Sequence, residues 1–318
     1  MKVIKLSLAA LLTALAVSSY QLLLNSEHFY WSYRCWRQAN NILSCYRNGN
    51  FDFSADFFGL RYEGNTGNYI DNRIFFHGAF EKPVLFLLRD IMSRGYSSQG
   101  VFVDVGANTG QHSLFMSRYA SQIHAFEPYE PVLRRFRRMV EINHIGNVVI
   151  HPVGLGNENS KKPFYKPPEN NLGTGSFVEG FKDDNSYLGE LEIQIGDEAL
   201  ASARVTSVSI IKMDIEGYEK PALQGLRRTL TRNRPFVVFE LTTDPTSSIS
   251  VKSKEELKGL FPDGYQFFVI DESLGLDSGR YRLVNFDENV HFDKSEQTDI
   301  LAYPTEKKEI LVIDSARR

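Results

Sequence analysis

The chain has 318 residues, 42% hydrophobic and 24% charged, with 36 basic against 39 acidic side chains and a net charge of −3. These ordinary globular values exclude a disordered chain, a collagen-like repeat and a generally basic nucleic-acid binder. Two cysteines, Cys35 and Cys45, are too few for a disulfide scaffold or a cysteine-rich zinc domain, and the length suffices for a sizeable core in one large or two small domains.

Residues 1–24 open with Lys2 and Lys5 and continue into an apolar run from Leu6 to Val17. About twelve residues fit a signal-peptide core better than a full span of about twenty. Ala14-Leu15-Ala16 then supplies a small-residue cleavage site; extended to Leu24, the same stretch reads as a marginal single-span anchor. A signal peptide or membrane anchor is therefore expected, with an amphipathic helix packed on the protein as the alternative. Lys2 and Lys5 favour an N-inside orientation, against Arg34, Arg37 and Arg47 on the other flank. The expected location is membrane-associated or in the secretory pathway, with a domain held at the cytosolic face as the competing arrangement. Cys35 and Cys45 have the option of pairing in an oxidising compartment, which spacing alone does not establish.

Residues 25–74 form an aromatic-rich extension: His28-Phe29-Tyr30-Trp31, Phe51-Asp52-Phe53, Phe57-Phe58. It lacks a long helical period, so short strands and turns are expected, with Gly64 to Asn68 as a turn. Residues 75–306 form the main domain and 307–318 a tail. Pro83 to Arg94 reads as a helix. From Val101 strands and helices alternate: strand Val101–Val105, helix Gln111–Tyr119, strand Gln122–Phe126, helix Pro131–His144, strand Val148–Val153, strand Ser207–Met213, helix Lys220–Leu230 and strand Pro235–Leu241. That alternation predicts an α/β fold with a largely parallel sheet covered on both faces. Residues 156–205 read as a long polar insert, and loops of that length are usually functional or mobile.

The chemistry concentrates at the strand ends, which in an open parallel sheet face the ligand crevice. Asp104-Val105-Gly106-Ala107-Asn108-Thr109-Gly110 closes the first of these strands and opens a helix. Gly106 and Gly110 permit a tight turn and close backbone approach. Asn108 stands where a dinucleotide fingerprint has its second glycine, and the Asp104 carboxylate would repel a pyrophosphate. It would suit a cationic ligand. Glu127 follows the second strand, near the ~20-residue offset of a carboxylate that grips ribose hydroxyls. Together these describe a nucleoside without phosphate and with a positive centre, which S-adenosylmethionine satisfies. Ile211 to Glu219 forms the second constellation: Asp214 and Glu216 straddle a strand tip, Gly217 lets the chain turn, and Glu240 lies near the next tip. Such carboxylates are costly to bury unless paired or used. Accepting a proton, orienting a cofactor and binding a divalent cation are the uses considered, beside helix capping and plain surface charge.

The segments VDVGANTGQHS, HAFEPYEP, IIKMDIEGYEKPALQG and RPFVVFEL, in this order, resemble the FkbM family of S-adenosylmethionine-dependent methyltransferases. Phe76 to Glu81 and Asn171 to Ser176 support the likeness, which runs from Phe75 to Leu241 and continues more weakly through Gly264-Tyr265 and Leu301 to Pro304. The resemblance implies the class I methyltransferase fold, Rossmann-like, with a seven-stranded, mostly parallel sheet, helices on both faces and a closing antiparallel pair, here Gln266–Ile270 and Asp299–Ala302. It implies methylation of a hydroxyl on a sugar, glycan, lipid or other small molecule. By position, Asp104, Gly106, Asn108 and Gly110 would hold the methionine end of the cofactor, Glu127 its ribose, and Val153 and Gly154 would lie near adenine. Asp214 would sit beside the reacting centre. Substrate contacts would fall to His77, Glu81, Asn171 and Ser176, the insert forming the lid.

For direct transfer to oxygen, alignment and exclusion of water supply much of the acceleration. Asp214 is the first candidate base and Glu216 the alternate; His77 follows, with His112 and His124 behind it. Metal dependence is left open. The competing classes are an NAD-linked oxidoreductase, against which Asp104 and Asn108 argue, and a catalytically inactive membrane-associated nucleoside-binding protein. Arg134, Arg135, Arg137 and Arg138 read as the solvated face of a helix, with an anionic lipid surface as the alternative partner. S-adenosylmethionine is made in the cytosol, which conflicts with export of the domain.

Overall fold

The computed structural model describes residues 50–273 and 279–311. The expectations for residues 1–24, for the first half of the extension and for the cysteines lie outside the described residues. Among those described, no helix is long and apolar enough to cross a membrane.

The chain enters through a hairpin of β1 (Asp52–Phe57) and β2 (Leu60–Asn65), followed by α1 (Tyr69–His77) and α2 (Lys82–Tyr96). α1 departs from the strands and turns expected there: Asn68 caps it through Asp71 N–H and Gly78 closes it in the left-handed region. β3 (Val101–Val105), α3 (Gln111–Met116), β4 (Gln122–Phe126), α4 (Glu130–Ile142) and β5 (Val148–His151) follow the expected alternation. The predicted third strand stops at His151, and Gly154–Gly156 (β6) leaves for a separate sheet with β7 (Ser160–Lys166) and β8 (Ser186–Ile195). The segment read as one long insert is thus largely ordered, and α5 (Gly196–Ser202) completes it. β9 (Ile210–Met213) leads into α6 (Glu219–Gly225) and α7 (Arg227–Asn233), two short helices where one was expected. β10 (Phe236–Thr243), α8 (Lys254–Leu260), β11 (Tyr265–Asp271), β12 (Arg282–Asn285), α9 (Phe286–Asn289) and β13 (Glu296–Pro304) complete the fold.

The main sheet has the order β12-β11-β13-β10-β9-β3-β4-β5. β5, β4, β3, β9 and β10 are parallel; β13 and β11 run antiparallel at the far side, as expected. β12 adds an eighth strand on the edge of β11, so the seven-stranded arrangement is present with one addition. Alternate strand residues feed two cores. Phe102, Ile123, Ala125, Ile210 and Val238 face α2, α3 and α4, whereas Val103, Val105, Ile211, Met213 and Phe239 face the side of α5, α6 and α8.

The hairpin and α1 belong to the first of these cores, through Phe53, Phe57, Tyr62, Ile74 and Phe75. A buried polar tie helps to hold them: Asp71 accepts from Tyr62 Oη (2.8 Å), from Asn65 N–H (2.9 Å) and from Arg135 Nη2 (2.5 Å) on α4. Arg137 pairs with Glu130 and Arg138 with Glu63, so three of the four α4 arginines have intramolecular carboxylate partners.

Candidate active site

The parallel register decides which polar side chains meet. Asp104 on β3 is the register partner of Lys212 on β9, and Glu240 on β10 that of Asp299 on β13. Lys212, two residues before Asp214, points to the face that carries Asp104. Its ammonium lies 3.1 Å from Asp214 Oδ2 and is 5% exposed. Burial alone would lower its pKa, but the charges of Asp214, Asp104 and Glu81 outweigh burial and hold it up. Lys212 is the functional side chain that sequence reasoning missed. A lysine inside a four-residue strand that is otherwise apolar was the available signal.

The glycine turn is built as its residues require. Gly106 has φ +80°, and a Cβ there would lie 1.9 Å from the Asp214 carbonyl oxygen, so the β3 and β9 loops touch at this point. Gly110 has φ +84°, with Phe136 occupying the space of a side chain. Asn108, at φ +51°, donates its N–H to Glu127 Oε2 (3.0 Å) and its amide to the Leu172 carbonyl (3.3 Å), while its Oδ1 accepts from Thr109 N–H. Glu127 also accepts from Tyr129 N–H (2.8 Å), and burial pushes its carboxyl up to about 7.

Two hollows flank the Gly106–Asp214 contact. The larger, about 340 Å³, lies on the Asp104 face; Glu81, His112, Lys212, Asp214, Glu216 and Glu240 supply its charged and titratable wall, with Lys182, whose Nζ donates to Gln297 Oε1 at 2.8 Å. The smaller, about 40 Å³, lies between Glu127, Gly154, Ile215, Tyr218 and Phe177. Gly106 lines both.

Of the residues expected to hold a ligand, Gly106, Asn108, Asp214, Glu216, Glu81 and Asn171 reach the larger hollow, and Glu127 and Gly154 the smaller. Asp104 reaches neither. It is fully buried, accepts from Ser113 Oγ (2.6 Å), and keeps Oδ1 without a hydrogen-bond donor. Its expected direct grip on the ligand is corrected to support from beneath, because the register turns its side chain under the glycine loop and toward Lys212. Gly110 packs on Phe136, and Val153 lies in the second core, away from the cavity. His77, expected at the substrate, sits at the last turn of α1, 3.4 Å from Arg73 and outside both hollows. Ser176, read as a substrate contact, is 1% exposed; its Oγ donates to the Glu216 carbonyl (2.7 Å) and accepts from Val178 N–H.

The carboxyl groups differ in proton affinity. Burial, reinforced by the Asp214 charge, raises Glu216 to about 8 and Glu240 to about 11, so Glu240 holds a proton at neutral pH. Gln297 donates to both, at 3.3 Å to Glu216 and 2.6 Å to Glu240. His112 Nε2 lies 3.4 Å from Glu81 Oε2, and burial followed by the Lys212 charge keeps the imidazole neutral. Among the described residues no group of three His, Cys, Asp or Glu side chains is placed to hold a metal ion.

A parallel sheet with a glycine turn after its first strand, a carboxylate after the second and an antiparallel pair at its end defines the class I methyltransferase fold. The chain matches the family described as methyltransferase FkbM domain over residues 104–274, and it belongs to that family. It is 28% identical to methyltransferase 1 of Beauveria bassiana over 52% of this chain and 73% of the relative. It is 29% identical to the hexuronic acid methyltransferase AglP of Haloferax volcanii over 49% of this chain and 63% of that enzyme. Among solved structures it resembles the methyltransferase FkbM from Methylobacillus flagellatus KT, with a TM-score of 0.40 and 18% identity over 65% of this chain and 44% of that one. It also resembles a SAM-dependent methyltransferase from Agrobacterium tumefaciens, with a TM-score of 0.44 and 10% identity over 80% and 70%. Family membership removes the NAD-linked oxidoreductase from consideration.

Proposed function

We propose that the chain is an S-adenosylmethionine-dependent methyltransferase that methylates a hydroxyl of a small-molecule or glycan acceptor, a sugar acid being the first candidate. The observation that carries this reading is the charge balance of the larger hollow. Glu81, Asp214, Glu216 and Glu240 line it against Lys212 and Lys182, with the Asp104 carboxylate just beneath. The protons that Glu216 and Glu240 hold in the free protein would leave as a cationic ligand settles against them, so the wall becomes acidic when such a ligand is present. The backbone-held Glu127, which lines the smaller hollow, supports the same cofactor. The sugar acceptor is supported by the hexuronic acid methyltransferase relative, and Lys182 in the cavity lining offers a partner for a carboxylate.

S-adenosylmethionine, when bound, supplies an electrophilic methyl group. Asp214, tied to Lys212 by an ion pair at 3.1 Å, positions. Glu216, raised to about 8 and lining the same cavity, is the better base once it has lost its own proton, so transfer should quicken as pH rises through 8. This reverses the order in which sequence alone ranked the two. Glu240, protonated, has a proton to give beside the hydrogen bond it accepts from Gln297.

Calorimetry with S-adenosylhomocysteine and transfer of labelled methyl to a panel of glucuronides, glucosides and lipids tests it. The expected outcome is micromolar binding, with label on the glucuronides. Glu216→Gln then retains binding while turnover falls about 10²–10⁴-fold. Absence of binding would remove the cofactor; binding without transfer to any acceptor would favour the inactive binding protein.

A further inference from the structure

The hollow beside Glu127 is where a nucleoside would lie, yet its volume is only about 40 Å³. Sites for ligands of nucleoside size occupy a few hundred cubic ångströms. What fills the space is the chain itself. The Phe177 ring lies so close over Gly154 that a Cβ on that glycine would come within 2.8 Å of it. Phe164 meets the ring edge-on at 5.1 Å and Tyr218 at 5.5 Å, so it sits in an aromatic cage.

The strap that delivers Phe177 is pinned at three points around the site. The Leu172 carbonyl accepts from Asn108 of the glycine loop, Ser176 and Tyr165 exchange two backbone hydrogen bonds, and Ser176 Oγ donates to the Glu216 carbonyl. Gly173 and Gly175 precede the ring and Gly180 follows it, at φ +68°. A flat aromatic ring held between other rings, beside a carboxylate suited to a ribose, occupies the position a purine would take.

We infer that Phe177 occupies the nucleobase slot in the cofactor-free protein and that cofactor binding expels it, moving the strap that is bonded to Glu216. The inference rests on the cofactor reading above and adds a gate to it. The free protein is then held mostly in a binding-incompetent state, and its apparent affinity is reduced by the competent fraction. Expulsion of the ring also shifts Ser176, and with it the backbone of the proposed base, so a filled slot and an aligned base are coupled.

Calorimetry of the full chain with S-adenosylhomocysteine separates the possibilities. Phe177→Ala, shown by thermal melting to be folded, is expected to bind about tenfold more tightly than wild type. A Phe177→Trp chain reports the ring directly: its added emission, relative to wild type, is expected to be blue-shifted in the free protein and to move to the red on saturation. Equal or weaker binding by folded Phe177→Ala, or an added indole emission that stays blue-shifted at saturation, overturns the gate while leaving the cofactor reading standing. Failure of wild type and Phe177→Ala alike to bind overturns both.

Discussion

The two hollows either side of Gly106 are opposites. One is roomy, polar and crowded with carboxyl groups; the other is apolar, aromatic and packed shut. Charge explains the difference. Packing brings side chains together until dispersion contacts are saturated, as around Phe177, whereas like charges cannot close on one another without losing water. The acidic hollow is therefore preformed and the aromatic one collapses when nothing fills it. The Gly106–Asp214 contact, the Asn108–Glu127 hydrogen bond and the strap from residue 171 to 178 span both, so a ligand reaching across must reorganise one side only.

The most severe way to break this arrangement is at the contact itself. Gly106→Ala forces a Cβ against the Asp214 carbonyl at φ +80°, with no flexible side chain there to yield. The loops must part, and both hollows lose their shared wall. The expected result is loss of S-adenosylhomocysteine binding together with destabilisation of about 4 kcal/mol or more, read by calorimetry and thermal melting. A variant that melts and binds like wild type would show that the two hollows do not depend on this contact.

A smaller change tests the acidic side alone. Lys212→Met removes the ammonium buried among Asp214, Asp104 and Glu81. Leaving buried carboxylates without their partner costs about 3–5 kcal/mol, or about 10 °C in melting temperature for a domain of this size. The loss should shrink as pH falls, because Asp104 and Glu81, whose carboxyls burial already raises, take up protons. A pH-independent loss would point to packing rather than charge.

What could be read from sequence divides along the same line. The glycine turn, Glu127 and the Asp214–Glu216 tip were legible because each depends on neighbours in the chain: an apolar strand, a glycine, a charge at the end. β4 is found at the predicted residues, and β3 as well. The burial of Asp104 and its pairing with Lys212 come from parallel register between strands more than a hundred residues apart. Phe177 was hidden for a similar reason. It is one apolar residue in a polar insert, and only the folded β6–β8 sheet shows which slot it enters. α1 escaped notice because its nine residues carry a short, broken apolar pattern, and its buried Asp71 is satisfied by Arg135 of α4.

The mildest perturbation is pH, which reaches both hollows at once. Burial raises Glu127 and Glu219 to about 7 and Glu216 to about 8, each from an ordinary value near 4.5. In all three the folded state holds its proton more tightly than the unfolded chain. That contribution to stability is complete below about pH 4.5 and is lost as pH rises through 7 to 8. A tenfold difference in proton affinity between the folded and unfolded states is worth about 1.4 kcal/mol. Opposing carboxylates such as Asp271 and Glu306, held low at about 2, have already delivered their share above pH 5. The ligand-free protein should therefore melt several degrees lower at pH 8.5 than at pH 6. Glu127→Gln should remove part of that difference, because a neutral amide on the aromatic side no longer titrates, while Glu216→Gln should remove a separate part from the acidic side. Additive losses in the double variant would mean that the two hollows titrate independently across Gly106; a clear departure from additivity would mean that the strap bonded to Glu216 transmits charge from one to the other.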